Sequence, residues 1–241
     1  MTDANDAWLG ANTPPLKQCS FIDIPSGILR SVAINDDRLP SLYYHPNPVM
    51  RRYFWSRLRR LFRLMQKHHA SARSVLDFGG GGGAFLPTLA VSYDSVTLID
   101  LVVAEAKAIA DVFGLRNVEF CELDILRDDL DGRRFDTVVA ADVLEHFADL
   151  DVPVARLRQW LAPGGMLFTS LPTENLFYRT LRLCFGIEKP HDHHHTASEV
   201  EVYLTANGFR RVDTACIPFG IGLLPLFRIS AWRRDEHATN S

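Results

Sequence analysis

From residue 73 to residue 232 the chain alternates two kinds of hydrophobic pattern. Short, nearly unbroken apolar runs occur at Val75–Phe78, at SVTLID (95–100), at NVEFCELDI (117–125), at Phe135–Ala140 and at MLFTSLP (166–172). Between them lie amphipathic stretches: AFLPTLAVSY after the first run, AEAKAIADVFG ending at Gly114, and VPVARLRQWL ending in the turn APGG. Unbroken apolar runs of this length predict strands buried on both faces, and spacing near 3.6 predicts the helices that cover them. Alternation of the two predicts an α/β domain, a Rossmann-like open and mostly parallel sheet with helices on both faces. Two further strands, FRRVDTACI (209–217) and LFRISAW (226–232), follow a helix in ASEVEVYLTANGF (197–209), whose apolar residues are Val200, Tyr203 and Leu204.

The chain before this block has a different character. Residues 1–47 contain Pro14, Pro15, Pro25 and Pro40 with little periodicity and are expected to be an irregular segment, with a short hairpin in FIDIPSGILRSVAI (21–34). From Pro48 the spacing is helical, with apolar residues at 50, 54, 58, 61, 62 and 65 and Arg51, Arg52, Arg57, Arg59, Arg60, Arg63 and Lys67 at other positions. A basic amphipathic helix of this kind serves a membrane surface or a polyanion, or packs its apolar stripe on the sheet and shows its bases to water. The second use is expected here, because a helix just before the first strand needs a place to dock. The domain is read as 48–232, with a substrate-side insertion at about 172–195 and a tail at 233–241.

The first strand runs directly into five glycines, VLDFGGGGGAF (75–85). Asp77 interrupts the buried run, and a carboxylate there requires a partner or a task because unpaired burial is costly. Glycines at 79, 81 and 83 permit backbone conformations closed to other residues and leave no Cβ between chain and ligand. Two cofactor classes use such a turn. Gly79, Gly81 and Ala84 satisfy the dinucleotide fingerprint, which keeps an NAD(P)-dependent oxidoreductase open. Asp77 followed by Gly79, Gly81 and Gly83 resembles instead the first motif of the class I S-adenosylmethionine (SAM)-dependent methyltransferases.

The later motifs favour that second resemblance. The order strand, Asp142-x-Leu144-Glu145-His146, helix, Leu161-x-Pro163-Gly164-Gly165, strand is similar to this methyltransferase family over about residues 73–209. His193, Thr196, Glu199, Leu204, Gly208 and Phe209 loosely resemble a further segment of it. The resemblance implies SAM as cofactor, an antiparallel last strand, and specific roles. Asp77 with Gly79, Gly81 and Gly83 would hold the methionine part, Asp100 the ribose, Asp124 with Ile125 the adenine, and Leu101 would pack on the adenine face. Ala141 and Asp142 would approach the methyl donor. His146 is the first candidate for a general base and His195 the second, imidazole being the side chain that titrates near neutrality.

Composition narrows the reading further. A formal net charge of −3 gives no global attraction for nucleic acid, and no basic-then-apolar leader or membrane-length apolar run appears, so a cytoplasmic enzyme is expected. Cys19, Cys121, Cys184 and Cys216 form no CxxC pair and read as reduced thiols. His191, Asp192, His193, His194 and His195 lack the ligand spacing of a metal site, and no metal is expected. The substrate-side stretches 20–65 and 172–195 are rich in Phe, Tyr, Leu, Arg and His, which fits a small apolar, aromatic or lipid-like acceptor. O-methylation is the favoured reaction. A non-enzymatic, membrane-associated binding module on the same fold is the remaining alternative, carried by the basic helix and by the apolar loop IPFGIGLLP (217–225).

Overall fold

The computed structural model describes residues 16–34, 38–69, 71–173, 194–217 and 226–235. Strands β1 (Ser74–Phe78), β2 (Ser95–Asp100), β3 (Val118–Glu122), β4 (Phe135–Ala141), β5 (Leu161–Pro172), β6 (Phe209–Ile217) and β7 (Phe227–Arg234) form one sheet in the order β3-β2-β1-β4-β5-β7-β6. Pairing is parallel except along β7, which runs antiparallel to both β5 and β6. The chain leaves β1 to one side for β2 and returns on the other side for β4. The carboxyl ends of these two inner strands therefore flank a topological switch point, where open α/β sheets place ligands.

Alternation along each strand sends side chains to two cores. Val75, Val96, Leu98, Val139, Phe168, Ile229 and Ala231 lie in one buried cluster with residues of α2 (Pro48–His68), α3 (Leu86–Ser92) and α4 (Ala104–Phe113). Leu76, Phe78, Ile99, Val138, Ala140, Leu167 and Trp232 lie in the other with residues of α5 (Asp151–Trp160) and α6 (Ala197–Ala206). Helix ends follow local chemistry. Pro87 sits in the first turn of α3, Gly114 closes α4 in the left-handed region, and Thr196 and Glu199 cap α6 reciprocally.

Three expectations are corrected. Residues 26–32 form helix α1 (Ser26–Val32) where a hairpin was expected. Pro25 removes a donor that a strand ladder needs and holds a φ suited to starting a helix, and its carbonyl accepts from Ile28 and Leu29. The APGG turn before MLFTSLP lies within β5, where the pairing with β4 slips between Phe135 and Thr137 and Gly164 takes φ 75°. A bulge, rather than a free turn, absorbs the extra residues.

The third correction concerns α2. Its apolar stripe does pack on β5, β6 and β7, with Asn47 capping its start by accepting from the Val49 N–H at 2.9 Å. Arg57, however, is buried with Phe54, Trp55 and Leu58 and does not reach water. It stands three residues after Phe54 and four before Leu61, on the stripe itself. Upstream, Leu16, Ile24, Leu29, Leu39 and Tyr43 join the same core as α2. Among the described residues no helix is long and apolar enough to cross a membrane.

Candidate active site

β1 delivers Asp77 to the switch point with 3 % of its surface exposed. One of its carboxylate oxygens, Oδ2, is buried without a hydrogen-bond partner among the described residues. Burial, and secondarily the negative charge of Asp100, push this carboxyl up to about 7. The site therefore holds an acid in need of a cationic donor.

The glycine turn follows. Gly79 and Gly80 donate their N–H groups to the Ile99 carbonyl, which ties the turn to β2. At Gly79, φ is 68° and any Cβ would run into the side chain of Val143. At Gly81, φ is 53° and a Cβ would lie 2.8 Å from the Arg38 carbonyl oxygen. The backbone here is pressed between β4's exit and the upstream segment, and only glycine fits.

Asp100 ends β2 with both oxygens engaged. Oδ2 accepts the Gly81 N–H at 2.8 Å and Oδ1 pairs with the Arg38 guanidinium. Arg38 in turn accepts the Gly82 N–H on its carbonyl at 2.7 Å, so a single upstream residue clasps both turn and acid. Leu101, next along, is exposed to 53 %. The Leu123 N–H donates to the Asp100 carbonyl at 3.0 Å and brings the end of β3 alongside. Asp124 there accepts from the Leu126 N–H at 3.0 Å, lies 3.4 Å from Arg127, and donates its own N–H to Asp128 Oδ2 at 2.7 Å. Its carboxylate shapes a turn, and Ile125 turns into the second core.

At the end of β4, Ala141 pairs in register with Ser170 and packs against the first core. Asp142 takes a left-handed φ of 53° and is fastened on three sides. Its N–H donates to the Ser170 carbonyl at 2.8 Å, its Oδ1 accepts from Ser170 Oγ at 2.9 Å, and its Oδ2 pairs with Arg57. Arg57 also donates to the Tyr43 hydroxyl at 2.7 Å, and its guanidinium lies over the Phe54 ring, 3.8 Å from the centroid. Burial raises the Tyr43 phenol above its ordinary value, against the opposing pull of Arg57.

His146 closes a short 3-10 turn, Leu144–His146, beyond β4. The His194 and His195 N–H groups both donate to the Glu145 carbonyl, at 2.8 and 3.4 Å, so the two candidate bases come from chain segments joined at that residue. His195 Nε2 is buried without a hydrogen-bond partner among the described residues. His191 to His193 lie outside the described residues.

The fold thus gathers Asp77, the glycines, Asp100, Leu101, Asp124, Ala141, Asp142, His146 and His195 along the carboxyl edge of the sheet. Arg38, Tyr43, Arg57, Val143 and Ser170 were not singled out from sequence. Only Arg57 carried a signal, since a charge on a helix's apolar stripe demands a buried partner. The orphaned Asp77 oxygen and the side-chain-free turn fit a ligand with an ammonium group and a close backbone approach, such as the amino-acid end of SAM.

This architecture, with an acid-and-glycine turn at the switch point and an antiparallel seventh strand, is that of the class I methyltransferases. The family described as methyltransferase domain matches residues 50–214. The N-methyltransferase NodS from Bradyrhizobium japonicum WM9, solved with S-adenosyl-L-homocysteine (SAH), is similar with a TM-score of 0.64 and 22% identity, over 87% of this chain and 97% of its own. Magnesium protoporphyrin IX methyltransferase from Synechocystis PCC 6803, with bound SAH, superposes with a TM-score of 0.62 at 21% identity, over 87% and 99%. Among curated proteins, a ubiquinone biosynthesis O-methyltransferase of Rickettsia akari (strain Hartford) is 25% identical over 137 residues, which is 56% of this chain and 53% of that protein. The chain spans about half or less of the length of the curated relatives it matches.

The chain belongs to the methyltransferase-domain family and has the fold of the SAM-dependent methyltransferases. The nicotinamide reading that Gly79, Gly81 and Ala84 left open gives way to it.

Proposed function

We propose that the enzyme methylates a hydroxyl oxygen of a small apolar, aromatic or lipid-like acceptor, with His195 and His146 serving to remove its proton. The observation that carries the reading is the pair of imidazoles joined through Glu145 beyond β4, one with a buried ring nitrogen that has no hydrogen-bond partner among the described residues. Two curated relatives named as ubiquinone biosynthesis O-methyltransferases, at 25% and 27% identity, support oxygen as the acceptor atom.

SAM, when bound, supplies a methyl group activated on a sulfonium. In this reading the free oxygen of Asp77 receives the α-ammonium, the backbone of Gly79 to Gly83 lets the methionine part approach, and Asp100 takes the ribose hydroxyls. The exposed face of Leu101 covers the adenine, which Asp124 and Ile125 bound on its far side. Ala141 and Asp142 line the methyl donor's end, Asp142 as the anchor of Arg57. Orientation of this sort lowers a barrier by about 7 to 11 kcal/mol, and a placed base adds about a hundred- to ten-thousand-fold.

The test is transfer of labelled methyl from SAM to a panel of catechols, hydroxybenzoates, prenylated phenols and amines. Label on hydroxylated members, and a turnover in His195→Gln lowered about a hundred-fold or more with SAH affinity unchanged, is the expected result. Label confined to amines would refute the assignment of oxygen, and full turnover in both His195→Gln and His146→Gln would remove the base.

A further inference from the structure

Helix α2 carries seven of the chain's 26 Lys and Arg and none of its 29 Asp and Glu, so the remainder holds 19 bases against 29 acids, a formal −10. Structure divides the seven. Arg57 is buried on Asp142, Arg51 donates to the His45 carbonyl at 2.7 Å, and Arg59 pairs with Asp23. Arg52, Arg60 and Arg63 are exposed and make no ion pair with the described residues. Lys67 bonds Asp213 at 2.7 Å yet keeps 65% of its side chain in water.

At helical spacing these four share one face, and Val49, exposed to 71 %, begins it. The stripe runs over roughly 25 Å, at about 1.5 Å per residue, away from the Tyr43 and Asp142 end of the site. Its composition works against the isolated helix. Arg60, Arg63 and Lys67 repel one another at spacings of three and four. Asp213 offsets the last of them alone. A row of like charges on an otherwise acidic protein is favourable when an anionic surface faces it.

We propose that this outer face of α2 docks the enzyme on an anionic lipid bilayer. A planar surface touches the stripe and Val49 while keeping clear of the acidic body; a long nucleic acid would meet the −10 remainder, and the stripe offers no aromatic residue on which bases could stack. The docking also sets the start of α2, and with it the Tyr43 side of the active site, at the membrane, where an apolar acceptor would be found. This last consequence rests on the proposed acceptor class; the docking itself does not.

Co-sedimentation of the full chain with phosphatidylcholine vesicles containing about one part in three phosphatidylserine tests it directly. Binding is expected to fall with added salt, to vanish on pure phosphatidylcholine, to weaken about 30-fold in Arg60→Gln/Arg63→Gln, and to persist in Arg60→Lys/Arg63→Lys. SAH affinity should be unchanged and the thermal midpoint no lower in both variants, so that failure of docking is distinguishable from failure of the catalytic reading. A wild-type protein that stays in the supernatant, a glutamine variant that sediments equally, or a protein retained by single-stranded RNA but not by vesicles would overturn the proposal.

Discussion

The Arg57 and Asp142 pair joins the upstream cap to the end of β4, and replacing Arg57 by Met tests how much of the site depends on it. Methionine keeps the buried stem and removes the guanidinium. The Asp142 carboxylate would then keep only its bond from Ser170 Oγ, and the Tyr43 hydroxyl would lose its 2.7 Å donor. The two side chains are exposed to only 6% and 17%, so water does little to relieve the stranded carboxylate. Breaking one half of a buried pair costs about 3–5 kcal/mol. For a chain of this size that is a fall in midpoint of roughly 6 to 20 °C. Removing both charges in Arg57→Met/Asp142→Asn should recover most of the loss, because no lone charge remains and asparagine tolerates the left-handed backbone of position 142. Urea unfolding of the wild type, both single variants and the double variant measures the coupling directly. A loss below about 1 kcal/mol in Arg57→Met, or a double variant no more stable than the single, would refute the view that this pair fastens the cap to the sheet.

Two other substitutions probe the cofactor end. The Asp77 carboxyl is raised from an ordinary 3.8 to about 7, so the stability it contributes is fully present below 3.8 and is lost as pH rises through about 7. The loss is of order 4 kcal/mol, and Asp77→Asn should flatten the profile of thermal midpoint against pH over this window. SAH affinity of the wild type, measured by calorimetry, should rise across the same window as the carboxylate forms, and an affinity independent of pH would separate Asp77 from the ammonium. Gly81→Ala places a Cβ 2.8 Å from the Arg38 carbonyl at φ 53°, and should weaken SAH binding at least tenfold through about 1–2 kcal/mol of backbone strain together with displacement of Arg38. Wild-type affinity in that variant would mean that the turn and Arg38 part without cost.

The parallel core was legible because burial on both faces leaves an unmistakable pattern: Val75–Phe78 and Phe135–Ala140 admit few polar residues, and an acid at the end of such a run is conspicuous. Asp77 and Asp100 were found by that contrast, and Asp142 by the motif Asp142-x-Leu144-Glu145-His146. The β5 bulge was less accessible, since APGG reads as a turn in isolation and only the pairing of Phe135 with Leu161 reveals a strand already under way. Helix α1 was masked by FIDI, whose alternation imitates a strand over too few residues to decide.

The residues that meet the strand-end acids were the hardest to foresee, and the reason is distance along the chain. Arg38 reaches Asp100 across 62 positions and Gln66 reaches back to the Leu16 carbonyl across 50, contacts set by how the upstream segment docks and by nothing in local spacing. A buried carboxylate states only that some donor is required. Asp142 finds Arg57 and Ser170, and Asp100 finds Arg38 and the Gly81 N–H, within the chain itself. Asp77 Oδ2 finds none among the described residues. Of three acids at strand ends, the one whose oxygen the described residues leave unanswered is the one beside the glycine turn, and that is why we propose it as the holder of the cofactor's amino-acid end.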